Sequence, residues 1–193
     1  MKRILRAAAC LLAAWLLAAG CGDDSTGPGS IIPDDHSLGW GQAIADGVRD
    51  TEFPAGHLYL VSCIDVNEDG EPETAIPWQF YYGDQADSNN VLIVMVQYIG
   101  TTNILWESDP TVPSGELPAY DDAGPWVSAA REQLGSQYSD WEEYALIVKG
   151  NDYSQFPWVF NVAVLQFMSP DTTEQMTAVI DADTDSVLVI FQY

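Results

Sequence analysis

Asp65-Val66-Asn67-Glu68-Asp69-Gly70-Glu71-Pro72-Glu73 is the stretch whose residue types and spacing come nearest to a chemical device. Hard oxygen donors stand at its first, third, fifth and ninth positions as Asp65, Asn67, Asp69 and Glu73, with Gly70 at the sixth, and the Glu71 carbonyl adds a backbone oxygen. Oxygen donors so spaced suit calcium. An EF-hand is excluded, because the twelfth position is Ile76 and not the bidentate Glu that such a loop needs. The same residues also read as an ordinary polar hairpin turned by Asp69-Gly70, and both readings stand.

Other chemistry is sparse. His36 and His57 form no His-Glu-x-x-His zinc pair, there is no Cys-x-x-Cys cluster, and neither a Gly-x-Ser-x-Gly elbow nor a phosphate-cradling Gly loop occurs. His57 as a general base competes with a plain strand-edge histidine. The carboxylate pairs Asp121-Asp122 and Glu142-Glu143 have the residue types of a glycosidase acid and base, but with 29 acidic residues in the chain such pairs also arise as solvated surface. No residue is assigned as catalytic. Cys63, within Leu58-Tyr59-Leu60-Val61-Ser62-Cys63-Ile64, reads as a buried small hydrophobe and not a nucleophile. The calcium stretch itself resembles the hairpins of integrin-type β-propeller repeats, D-x-[DN]-x-D-G-x-x-[DE].

The elements that would position these residues recur along the chain. Trp40, Ala43, Ile44 and Val48 form an apolar helical stripe, and Trp126, Ala129, Ala130 and Leu134 fall at the same offsets. Ser37 suits the first N-cap and Pro125 the first turn of the second helix. Each helix precedes a β-rich segment, His57–Asp65 or Glu143–Lys149. A Pro-Trp strand follows, in which Ile76, Trp78, Phe80 and Tyr82, or Phe156, Trp158, Phe160 and Val162, share a face. Two more strands close each half: Asn90–Tyr98 and Ile104–Glu107, then Glu174–Asp181 and Ser186–Gln192. The expected fold is therefore α+β and tandem, each repeat one helix packed on a four-stranded antiparallel meander. The expected organisation is a signal peptide (1–20), a flexible tether (21–37), a first repeat (38–107), a Pro-rich linker (108–122) and a second repeat (123–193), with residues from about Asp121 onward folding as a unit. Tyr59, Tyr81 and Tyr98 fall on the sheet face away from the helix, either open to a peptide or glycan or buried where the two repeats meet.

The amino terminus carries the localisation signal. Lys2, Arg3 and Arg6 precede an uncharged run from Ala7 to Ala19, the n- and h-regions of an export signal. That run is too short for the roughly 20 apolar residues of a spanning helix. Leu17-Ala18-Ala19-Gly20-Cys21 resembles the lipobox of bacterial lipoproteins, with Ala18 where Leu is commonest. The resemblance implies diacylation of Cys21 on sulfur, cleavage before it and acylation of its new amino group, giving a durable membrane tether. A soluble protein cut near Gly20, with Cys21 a spare thiol, is the other reading. Gly22 after the cysteine favours the outer membrane under the sorting rule of enteric bacteria, and Asp23-Asp24 has some likeness to acidic surface-export signals. Removal of residues 1–20 leaves only Arg49, Arg131 and Lys149 against 29 carboxylates, a formal charge of −26. So acidic a surface excludes nucleic acid and leaves cationic partners or divalent ions.

The ending Val179-Ile180-Asp181-Ala182-Asp183-Thr184-Asp185-Ser186-Val187-Leu188 resembles the closing hairpin of PepSY domains, V-x-V-D-A-x-T-G-x-V-L, with Asp185 in place of the turn Gly. The resemblance covers about Ala123 to Tyr193, with the first half a more degenerate copy. It implies a cystatin-like, non-catalytic module that binds or restrains a peptidase, without a transferable contact motif. The expected function is thus a lipid-anchored, acidic envelope binding module. A calcium-stabilised structural envelope protein and, further off, a hydrolase using acidic residues are the alternatives.

Overall fold

Ser37 accepts a hydrogen bond from the Trp40 N–H (3.3 Å), satisfying one of the orphan donors at a helix start, and α1 runs Leu38–Glu52. In the computed structural model, which describes residues 36–193 apart from 74–75, 85 and 109–114, this helix leads β1 (His57–Ile64), β2 (Trp78–Asp84), β3 (Asp87–Val96) and β4 (Thr102–Glu107). After a Pro-containing first turn, α2 (Gly124–Leu134) leads a short 3₁₀ turn (Ser136–Tyr138), β5 (Glu142–Gly150), β6 (Asn161–Met168), β7 (Gln175–Asp181) and β8 (Ser186–Gln192).

The expected tandem of two helix-on-meander repeats does not form. β1 and β5 pair antiparallel from Leu60↔Lys149 to Ile64↔Ala145, so all the strands belong to a single antiparallel sheet of eight, ordered β4-β3-β2-β1-β5-β6-β7-β8. The reason is the demand of every buried backbone N–H and C=O for a partner. Separate meanders would leave β1 and β5 as open apolar edges carrying Val61, Cys63, Leu146 and Val148, all buried here. Hydropathy period shows which side chains point inward but not which edge meets which.

Both helices pack on one face. Their core joins Trp78, Phe80, Tyr82, Leu92 and Val94 beneath α1 to Leu165, Phe167, Ala178 and Ile180 beneath α2, with Val61, Cys63, Leu146 and Val148 continuous between them. The opposite face carries two apolar clusters to which neither helix contributes, one around Tyr59, Val91 and Ile93 and one around Val159, Val162, Val164 and Val179.

Two expected faces shift. The buried side of α1 is Leu38, Gly41, Gln42 and Ala45, with Trp40, Ile44 and Val48 half-buried beside it and Ala43 exposed. Gly41 is what sets this rotation, since a Cβ there would stand only 2.8 Å from Trp78 Cδ1. Residues Phe156–Phe160, expected as a strand, are irregular before β6, with a turn at Pro157–Trp158. Asn151 holds them, its Nδ2 donating to the Phe156 and Val159 carbonyls (2.7 and 2.9 Å) and its Oδ1 accepting the Tyr153 N–H (2.8 Å). Phe156 and Val159 consequently join the helix-free face, while Trp158 and Phe160 are 68% and 80% exposed.

The segment before α2, expected as linker, packs where it is described. The Leu117 N–H donates to the Leu58 carbonyl (2.7 Å), Leu117 is buried, and the Tyr120 ring meets Trp126 edge-on at 5.1 Å. At the other end of the chain, His36 is buried, stacked on Tyr98 at 3.6 Å, with its carbonyl accepting the Trp78 Nε1–H (3.0 Å).

Candidate functional site

The acidic stretch between β1 and β2 closes on itself. Asn67 Oδ1 accepts the N–H groups of Asp69 (3.0 Å) and Glu71 (2.9 Å), and the Glu71 carbonyl accepts the Asn67 N–H (2.8 Å). Val66 and Pro72 form a bridge, and Glu73 N–H donates to the Asp65 carbonyl (3.0 Å). Gly70, at φ 77°, is buried against Ala123 and Gly124, where a Cβ would come within 2.5 Å of the Gly124 nitrogen. Two of the oxygens assigned to calcium, Asn67 Oδ1 and the Glu71 carbonyl, thus already hold the turn. Asp69 and Glu71 line an open cleft of about 460 Å³ with Glu68 and Asp122, and Asp65 and Glu73 lie outside its lining. Among the described residues no three His, Cys, Asp or Glu side chains gather as a metal cage.

The other residues singled out by type serve the framework. Asp122 Oδ1 accepts the Gly124 N–H (2.9 Å) at the start of α2, and the Asp121 carbonyl accepts from Gly39 N–H (2.9 Å). Glu143 is buried in an ion pair with Arg131 (2.5 Å), whose guanidinium also donates to the Tyr138 carbonyl (3.1 Å) and the Trp141 carbonyl, while Glu142 is exposed. Burial, and after it the charge of Asp65, pushes the Cys63 thiol up, out of the nucleophile range. His57 is half-buried at the start of β1. Tyr59 and Tyr81 meet at 6.4 Å on the helix-free face, whereas Tyr98 leaves the sheet for the β3–β4 turn. The two halves lie side by side, so neither covers the other's tyrosines as a repeat-to-repeat interface would. Cys21 lies outside the described residues.

A second cleft, of about 580 Å³, gathers residues that sequence reasoning did not connect. Asp46 and Arg49 come from α1, Leu58 from β1, Glu116, Leu117, Pro118 and Ala119 from the packed segment, Phe160 and Asn161 from the entry to β6, and Asp183 from the β7–β8 turn. Asp46 Oδ1 accepts the Tyr82 hydroxyl (2.9 Å) and pairs with Arg49 (3.5 Å), while Asp183 Oδ1 accepts the Tyr120 hydroxyl (3.1 Å). Burial foremost, and then the carboxylate each one faces, raises both phenols, so they remain donors and fix the two acids in place. Glu116 is exposed. The cleft therefore offers three carboxylates against one guanidinium, an apolar wall and an almost fully exposed ring. That combination suits a cation carried on an apolar or extended partner, by charge attraction and by cation–π contact with Phe160. Asn151, an Asx residue beginning the Asn151-Asp152-Tyr153-Ser154 run, is the signal that would have marked a turn before Phe160.

No protein-family model matches the chain, and no curated protein matches it in sequence. A solved structure from Clostridium difficile 630, described as "a putative lipoprotein", superposes with a TM-score of 0.54 at 9% identity, covering 84% of this chain and 98% of that one. The two share a fold. No helix among the described residues is long and apolar enough to cross a membrane.

Proposed function

We propose that this protein is a non-catalytic binding module held in the cell envelope, in its finer form by lipid on Cys21 and at the outer membrane. The observation that carries the binding role is the 80% exposure of Phe160 over a cleft containing Asp46, Glu116 and Asp183. A ring left in water beside fixed carboxylates is stabilised when a partner covers it. The anchoring role is supported by the Leu17–Cys21 motif and by the shared fold with a chain described as "a putative lipoprotein".

Photo-crosslinking in cells tests the binding role. A benzoyl-phenylalanine at position 160 should give a discrete protein adduct that the same probe at exposed Thr173 does not. Equal adducts at both positions, or none at 160, would reject it. A secreted peptidase in the adduct would give the narrower form, restraint of a peptidase. Anchoring is tested by fatty-acid labelling: Cys21→Ser should lose the label and remain unprocessed, and equal labelling would reject the lipid tether.

A further inference from the structure

β4 and β8 are the sheet's two outer strands, and among the described residues no strand pairs with the outer edge of β4. It pairs with β3 in unbroken register from Val91↔Glu107 to Val96↔Thr102. Its sequence, Thr102-Asn103-Ile104-Leu105-Trp106-Glu107, contains no Pro, Lys or Arg, the residues that usually blunt a sheet edge. Ile104, Leu105 and Trp106 are 43%, 39% and 46% exposed. On the helix side Trp106 meets Phe53 edge-on at 5.4 Å, extending the apolar strip beyond the strand. β8 likewise lacks Pro, Lys and Arg, but its pairing carries a register shift between Val179 and Ile180 and Val187–Phe191 are half-buried.

We propose that β4 receives an extended segment of another protein as an added antiparallel or parallel strand, and that this segment carries Lys or Arg among apolar residues. Strand addition satisfies the outward N–H and C=O groups of β4 and covers its apolar side chains. Charge decides the occupant. Glu107 at the end of the strand is exposed, as is Glu52, which precedes Phe53 in sequence, and the three basic residues of the described part are engaged elsewhere: Arg49 with Asp46 and Asp50, Arg131 with Glu143, Lys149 with Asp152. A second copy would bring the same acidic edge, and among the described residues its three cations are engaged in ion pairs as well. A basic segment supplies both the hydrogen-bonding backbone and the missing charge.

Hydrogen exchange on the full chain in detergent micelles is the test. The probes are a short peptide alternating Lys and Val, and the same peptide N-methylated at alternate residues, which keeps charge and side chains but loses backbone donors. The plain peptide should slow exchange of the 102–107 amides by about tenfold or more. The methylated one should not, and Leu105→Pro and Leu105→Lys should abolish the response while the thermal midpoint confirms folding. Equal protection by both peptides would mean charge attraction alone and overturn the proposal. So would β4 amides already protected in the free chain, with sedimentation then distinguishing a second copy from cover by a segment of the same chain.

Discussion

Cys63 shows how a residue's type can be right while its chemistry depends on place. Its thiol is buried, 3.4 Å from the Ile64 carbonyl, within the core that runs between the helices. Since burial raises its folded-state pKa above the unfolded value, the stability it contributes is complete below about pH 8.5 and declines as pH rises above that. Native protein should therefore resist a thiol reagent at pH 8 and react fully in denaturant, while Cys63→Ala should flatten the alkaline limb of the stability curve. Rapid modification of the native thiol would contradict the buried placement. This residue was legible because it sits in the largely apolar, strand-forming run Leu58–Ile64. Phe160 was not, because the same apolar ring counts as core in any hydropathy pattern, and the chain before it is turned by the Asn151 side chain together with local backbone bonds at Phe156 and Val159.

At the scale of the element, the helices and most strands could be read from period and caps, and the exceptions have particular causes. Gly41 and Gln42 lie on the buried side of α1, where a hydropathy stripe looks for Trp and Ile. An alanine at 41 would gain about 1 kcal/mol of helix propensity. It would also press its Cβ to 2.8 Å from Trp78 and 3.1 Å from Phe80, an overpacking of about 1–3 kcal/mol. Gly41→Ala is expected to lower the urea midpoint, whereas Gly47→Ala, with nothing within 4 Å of the added methyl, should raise it. Equal effects would show that α1 does not lie so close to β2. The acidic turn between β1 and β2 was legible as a turn, yet its ligand pattern concealed that Asn67 spends its side-chain oxygen on backbone N–H groups. Calcium should therefore shift the thermal midpoints of wild type and Asp69→Ala alike. A shift confined to wild type would restore the cation loop.

For the whole molecule the decisive feature is the β1–β5 junction, which no local pattern announces. It makes one core of two halves, so thermal unfolding should be a single transition with coincident far-ultraviolet and tryptophan signals. A fragment covering 123–193 would expose the five β5 residues that pair with β1, and should give collapsed, unprotected amides. Two separable transitions, or a well-dispersed fragment spectrum, would instead point to halves that stand alone. The His36 stack has a mechanical meaning as well. Tyr98 belongs to the turn joining β3 to β4, and Gly100 of the same turn lies beside Trp40 of α1. Tension entering the described body at His36 and leaving through a partner on β4 would be shared by the His36–Tyr98 stack, the hydrogen bond from Trp78 to the His36 carbonyl and the β3–β4 hairpin, like a load hung on a hook beside its nail. The strands of the second half, β5 to β8, lie on the far side of β1 from that path and could keep their shape while the edge strand is pulled.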